Sequence, residues 1–182
     1  MKTYKEGQEF LDNAKLVLSP MAGITNSPYR LLCQKYYKNA LLIGEMVNAR
    51  SLIENNPKAL KLASFSPNEI NRSLQIFSAK PDEIAAAVKK IVDENLADHI
   101  DLNFGCPVRK IVKQGGGAMI PKDKVLYRQI IRAAKENAGS LPITAKFRLG
   151  IDKDIITYID AGYIAEEEGC AAVTLHARFL KQ

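Results

Sequence analysis

The chain holds no tryptophan, two histidines and three cysteines among its 182 residues. The cysteines are widely spaced and odd in number, which argues against a disulfide framework and for a reducing compartment, the cytoplasm. No apolar run approaches the roughly 18 residues of a membrane span. The N-terminal stretch MKTYKEGQEFLDNAK is charged throughout and lacks the apolar centre of a secretory signal. Low-complexity tracts, linkers and internal repeats are missing, so no domain boundary is expected within residues 1–182. No GxGxxG follows the first strand, which disfavours a dinucleotide fold. Neither a metal site nor a membrane partner is expected. Only Lys89-Lys90 and Arg109-Lys110 are adjacent basic pairs, yet the net charge is +6, a mild attraction to a polyanion. At 47% hydrophobic residues the chain is long enough to bury a core.

What recurs is a strand followed by a helix. Leu16–Leu18 is an apolar strand ending in Ser19-Pro20-Met21-Ala22-Gly23, and Ser27 caps a helix with Pro28 in its first position, running to about Tyr36. Leu41–Ile43 is a second strand, ending in Glu45-Met46, and a helical stretch over 51–63 is interrupted at Pro57. Ser73–Phe77 is a third strand. Pro81 then opens a helix with acidic Asp82 and Glu83 in its first turn and a buried stripe of Ile84, Val88 and Ile91. His99–Asn103 is the fourth strand, and the helix Lys124–Asn137 directs Val125, Leu126, Ile130 and Ala133 toward a core. Ile143–Phe147 is the fifth. Ile155, Ile159 and Tyr163 line the next helix, Gly169 ends it, and Ala172–His176 is the sixth strand. This alternation predicts an α/β fold with a parallel sheet. A (β/α)8 TIM barrel, truncated after about six βα units, fits best, since a complete one runs to about 250 residues. The chain therefore reads as part of a longer barrel with two open edges.

Active residues of such barrels gather at the C-terminal ends of the strands, and here every strand end is polar or reactive. The centre is Ile100–Gly117, IDLNFGCPVRKIVKQGGG: a strand running into Asn103, then Cys106 pinned by Pro107, a basic pair, and Gly115–Gly117, which allow close backbone approach to a ligand. Cys106 reads either as a reactive thiol, biased toward thiolate were Arg109 and Lys110 to face it, or as a buried structural cysteine. Lys146 and Arg148 share one face of their strand. Turned inward they require an anion, a flavin or substrate phosphate; turned outward they are merely solvated. His176 and Arg178 repeat that spacing on the next strand. Gln75, within an apolar strand, must find hydrogen-bond partners if buried. Ser19–Gly23 offers backbone amides and small side chains beside the Met21 thioether, suited to lie along a flat ring, although Met21 could equally fill a core. His99, at the start of its strand, is read as structural, as are Cys33 and Cys170.

Together these segments resemble the tRNA-dihydrouridine synthase (Dus) family, FMN-dependent reductases of uridine in tRNA. The matching stretches are PMAGITNSPYRLLC at 20–33, EM at 45–46, QIF at 75–77, DLNFGCPVRKIVKQGGGA at 101–118, ITAKFRLG at 143–150 and VTLHAR at 173–178. Their general style resembles bacterial DusB-like members, and more loosely those of actinobacteria. The resemblance implies FMN over the mouth of the barrel, with Pro20, Met21 and Ala22 against the isoalloxazine ring, Gln75 and Lys146 at its polar edge and His176 also beside the flavin. NADPH (or NADH) would reduce the flavin, and a uridine flipped from the tRNA would enter above it. Hydride would pass to uracil C6 while Cys106 protonates C5 as general acid. An ordinary thiol, titrating near about 8.5, is a proton donor at neutral pH. Asn103 and Arg148 would orient the uracil or the adjoining flavin. Ser78 stands where many members have glycine, and Ala177 where HGR is commoner.

The resemblance also implies that two further barrel units, with the loops for the FMN phosphate, and a C-terminal helical tRNA-binding domain lie outside residues 1–182. The chain by itself is then expected to bind FMN weakly or not at all and not to turn over. Two other readings remain: a flavin-barrel reductase of a free pyrimidine, of the dihydroorotate or dihydropyrimidine dehydrogenase kind, and a non-catalytic remnant.

Overall fold

Along the central strands polar and apolar residues alternate, and both faces are buried. In His99–Phe104, Ile100, Leu102 and Phe104 point one way, while His99, Asp101 and Asn103 point the other. The computed structural model describes residues 11–113 and 115–182. Most of the charged N-terminal stretch, Gln114 and the side chain of Lys110 lie outside this description.

Six strands form one parallel sheet whose spatial order follows the chain: β1 (Val17–Leu18), β2 (Leu41–Asn48), β3 (Ser73–Phe77), β4 (His99–Phe104), β5 (Ile143–Gly150) and β6 (Ala172–Phe179). Between them lie α1 (Ser27–Tyr36), α2 (Ala49–Ile53), α3 (Pro57–Leu62), α4 (Pro81–Asp93), α5 (Arg109–Lys113), a 3₁₀ turn (Gly117–Lys122), α6 (Lys124–Asn137) and α7 (Tyr158–Glu167). This is the strand-and-helix succession of a (β/α) barrel, with six of its parallel strands present.

The apolar face meets the helices. Leu74, Ile76, Ile100, Leu102, Ile143, Ala145 and Phe147 pack against Ile84, Val88 and Ile91 of α4 and Tyr127, Ile130, Ile131 and Ala134 of α6. Phe104 meets Tyr127 edge to face, with ring centroids 4.5 Å apart. Two helices are phased differently from the sequence expectation. Val125 is exposed and Ala133 only half-buried, because α6 turns Tyr127 inward, while Arg128 and Arg132 on its outer side pair with Glu168. In α7 the core face is Ala161, Ile164 and Ala165, whereas Ile159 and Tyr163 are exposed and Ile155 precedes the helix.

The first cap also differs. Asn26, not Ser27, caps α1 by accepting from the Tyr29 amide, and the Ser27 hydroxyl instead donates to Glu69 at 2.5 Å. At Pro57 the chain breaks into two helices as expected, the second capped by Asn56. Ser78 takes up a local role: its hydroxyl accepts from the Lys80 amide and donates to Glu83, at the start of α4.

The inward face is polar and cross-linked. His99 bonds Ser73 at 2.6 Å and Thr144 at 3.0 Å, and Thr144 donates to Asp101 at 2.6 Å. These partners are register neighbours in the sheet: Ser73 faces His99 and Asp101 faces Thr144. Burial drives the His99 imidazole down to about 3, so it is held neutral.

Two predictions follow from this packing. The Tyr127 hydroxyl is buried without a hydrogen-bond partner among the described residues. Tyr127→Phe keeps the ring and removes the unpaired group, so urea denaturation should show a gain of about 1 kcal/mol. For His99, the unfolded chain takes up a proton below 6.5 that the folded chain refuses until about 3. The stability from the neutral ring is present above the first value and lost as pH falls toward the second. Relative to His99→Gln, the protein should therefore lose roughly 1 kcal/mol per pH unit across that window. Parallel denaturation curves for the two proteins would contradict a buried neutral ring.

Candidate functional site

The C-terminal ends of the strands enclose a cavity of about 500 Å³, within the size range of small-molecule sites. All nine residues singled out from the sequence line it. Pro20, Met21 and Ala22 come from the loop after β1, Gln75 from β3, and Asn103 and Cys106 from β4 and its loop. Lys146 and Arg148 come from β5 and His176 from β6. Met46, Thr174 and Ala177 line it as well, without a role assigned from the sequence. Ends of the first and sixth strands thus face one cavity although the two strands are not neighbours in the sheet. The sheet is curled as a barrel wall. Phe147, between the two cations of β5, is buried against the helices, which leaves Lys146 and Arg148 inward.

The loop Ser19–Gly23 is exposed yet pinned. The Met21 amide donates to Thr25 Oγ1 at 3.0 Å, the Thr25 hydroxyl and amide both return to the Met21 carbonyl, and the Gly23 amide donates to Glu45 at 2.5 Å. Glu45 was expected at the end of its strand, but β2 runs on to Asn48, and from within it Glu45 serves the loop and does not line the cavity. Behind the loop lies a buried ion pair that sequence reading missed. Arg30 Nε meets Glu69 at 2.5 Å, its Nη1 donates to the Thr25 carbonyl at 2.7 Å, and its guanidinium stacks 4.7 Å from the Phe65 ring centre. Gly44 on β2 makes room for it, since a Cβ there would stand 3.2 Å from Arg30 Nη1. No local signal could have exposed a pair 39 positions apart.

Asn103 organises the thiol loop. Its Oδ1 accepts from the amides of Gly105 at 3.1 Å and Cys106 at 3.0 Å, while its Nδ2 donates to Gln75 Oε1 at 2.7 Å. Gln75, 1% exposed, in turn donates to Asp101 at 2.6 Å. Arg148 Nε holds the Gly105 carbonyl at 2.8 Å. The glycine run has another use than close approach to a ligand. Gly115–Gly117 stand outside the cavity lining, and Gly117, at φ +57°, packs where a Cβ would lie 2.6 Å from the Cys106 carbonyl oxygen. The following amide, Ala118, donates to that same carbonyl. The glycines thus seat the cysteine. Arg109 is exposed and away from the cavity; the cation whose field couples to the Cys106 thiol is Arg148.

Electrostatically the cavity is positive. Burial lowers Lys146 from its ordinary value, opposed by Asp101 and aided by Arg148. Burial likewise lowers Arg148, with Arg178 adding to it. Arg178 itself is exposed and not part of the lining. The His176 imidazole lies below its ordinary 6.5, first through burial and then through Arg148, Lys146 and Arg178. It is therefore neutral at pH 7, an acceptor and donor rather than a cation. Its NMR titration midpoint should lie below 6.5 and move upward in Arg148→Met. An unmoved midpoint would remove the cationic contribution. Among the described residues no cluster of His, Cys, Asp and Glu is poised to hold a metal, no helix is long and apolar enough to cross a membrane, and the three cysteines are unpaired.

Sequence comparison adds an independent observation. Residues 17–182 match the profile described as Dihydrouridine synthase (Dus). The chain is 48% identical over 175 residues to a protein of Mycobacterium tuberculosis called "Probable tRNA-dihydrouridine synthase", covering 92% of this chain and 45% of that protein. Its counterpart in Mycobacterium leprae is 41% identical over 193 residues, covering 91% and 50%. The "tRNA-dihydrouridine synthase B" of Pseudomonas putida is 33% identical over 178 residues, covering 98% and 52%. Similarity to the B type is present, as expected from the sequence, but the mycobacterial proteins exceed it in identity. The chain spans about half the length of these curated relatives.

Proposed function

Because the chain belongs to the dihydrouridine synthase (Dus) family, we propose that its cavity is the flavin and uracil site of a tRNA-dihydrouridine synthase. The observation that carries this reading is the convergence of a pinned apolar loop, a buried amide pair, a thiol and two inward cations on one cavity. Residues 1–182 are read as a single unit, part of a flavin-binding barrel, acting in the cytoplasm on tRNA.

The residues fit FMN. Pro20, Met21 and Ala22 offer a wall of apolar side chains, with Met21 36% exposed toward the opening. Gln75 keeps one amide hydrogen and one lone pair beyond its bonds to Asp101 and Asn103. Lys146 supplies a cation and His176 a neutral ring on the adjacent strands. When bound, and after reduction by NADPH, FMN supplies the electron pair that saturates C6 of the uracil.

The protein's part is binding, orientation and one proton. Arg148 flanks Cys106 and holds the base by its polar edge, with C5 over the thiol, through the guanidinium nitrogen not given to the Gly105 and Phe179 carbonyls. Asn103 can add only the Nδ2 hydrogen that here rests on the Met46 sulfur at 3.7 Å. Cys106 Sγ gives its proton to C5 as the C5–C6 double bond is lost, and the thiolate left behind is stabilised by the neighbouring Arg148 and reprotonated from solvent. The positive cavity rim and the net charge of +6 favour a polyanionic substrate over a free base.

The purified chain should bind FMN weakly or not at all and show no turnover of tRNA uridine, whereas a longer protein that completes the barrel should keep the visible absorbance of bound flavin after desalting. In that longer protein Cys106→Ala should retain the colour and lower reduction of tRNA uridine by about a hundredfold or more. Loss of the colour together with the activity would move Cys106 from chemistry to cofactor binding. Faster turnover of free uracil than of tRNA would favour a free-pyrimidine reductase.

A further inference from the structure

Asp101 reaches no ligand surface, is fully buried, and was assigned no role from the sequence. It sits at the origin of a one-way chain of hydrogen bonds that ends on the Cys106 loop. The two backbone N–H groups of Gly105 and Cys106 can only donate, so Asn103 must present its oxygen to them. Its Nδ2 is thereby turned to Gln75, which must answer with Oε1. Gln75 Nε2 is then committed to its other neighbour, and only a group that accepts can stand there. Asp101 Oδ2 does, at 2.6 Å. The two amides lie head to tail between a carboxylate and a pair of backbone donors, and reversing either one would oppose like groups at both of its ends.

We propose that Asp101 is a positioning residue: its carboxylate sets the amide orientation of Gln75, and through Gln75 that of Asn103, thereby seating the Cys106 loop and fixing which polar atoms the cavity floor presents. The inference rests on the reading of the cavity given above for the role of the groups it positions. It does not depend on the charge of Asp101. Burial raises this carboxyl above its ordinary value, against the bonds from Thr144 and Gln75 and the nearby Lys146 cation, while His99 beyond Thr144 is held neutral. A proton on Oδ1 would simply be donated to Thr144, leaving Oδ2 to accept from Gln75 as before. What cannot be lost is the accepting oxygen.

The test is amide hydrogen–deuterium exchange on the flavin-free chain. In Asp101→Leu, Gln75 loses its acceptor and is free to turn, so the Gly105 and Cys106 amides should exchange about tenfold faster. Asp101→Asn still offers an oxygen to Gln75 and should restore exchange to within about twofold of the parent. A general loss of stability would instead accelerate exchange throughout β3, β4 and β5. Should Asp101→Leu fail to fold, Gln75→Met interrupts the same chain one link later and should show the same local effect. Unchanged exchange at Gly105 and Cys106 in these variants, or equal acceleration in Asp101→Asn, overturns the proposal. FMN titration of the longer protein that completes the barrel is the second readout, with affinity about tenfold weaker in Asp101→Leu and unchanged in Asp101→Asn. Failure of that longer protein to bind FMN would count against the proposed function, while the exchange result on the chain would still decide the role of Asp101.

Discussion

The inward face of the sheet carries Ser73, Gln75, His99, Asp101 and Thr144, all at least nine-tenths buried, and each has found its partner on the neighbouring strand. In a parallel sheet the register decides which side chains stand side by side, and Ser73–His99, Gln75–Asp101 and Asp101–Thr144 are register neighbours as well as hydrogen-bond partners, while His99 reaches diagonally to Thr144. A slip of one residue would turn Asp101 and Lys146 into the apolar layer and Ile100 and Phe147 inward. Polar pairing and strand register therefore specify one another, and the positions of the groups lining the cavity follow from both.

Much of what holds the site lies outside it. The loop bearing Met21 has its rigidity from Thr25 and Glu45, and the helix behind that loop is anchored by the buried Arg30–Glu69 pair. Such a pair gives little net stability against an apolar replacement, but losing either partner strands a charge in the interior. The thiol is fixed from two directions: Asn103 grips the amides before it, and the turn at Gly117 closes on its carbonyl. The chemistry-bearing side chains are thus few, and the parts that aim them are distributed over β2, β3 and the 3₁₀ turn.

The strands and the residues that line the cavity were legible for a common reason. Strand ends in a βα succession converge whatever their distance in sequence, so Met21, Gln75, Cys106, Lys146 and His176 could be gathered from periodicity and from the resemblance alone. Boundaries resting on strong local chemistry, such as Ser73–Phe77 and Lys124–Asn137, coincide with those observed. The misses have equally definite causes. The stripe expected on α6 left out Tyr127, which the fold buries together with its hydroxyl, so the inner face lies one position out of phase with the expectation. Ile159 and Tyr163 drew the helix stripe of α7 toward the large residues, whereas the face that meets the core carries Ala161, Ile164 and Ala165. Ser27 looked like a cap until Glu69 claimed its hydroxyl. Arg30 and Asp101 owe their meaning to partners far along the chain, which no window of sequence contains.

The six strands stand in the sheet in the order in which they occur in the chain. Each unit can therefore dock on the one made just before it, with no strand left waiting for a partner further along the chain. The pairing contacts are local in this sense, and a sheet of this kind can grow from its amino-terminal end as synthesis proceeds. The cavity cannot. Its walls come from Ser19–Ala22 at one end and Thr174–Ala177 at the other, which no strand pairing joins. Assembly of the sheet is thus gradual while completion of the cavity is abrupt, and a half-made chain would carry its thiol in place without yet having a chamber around it.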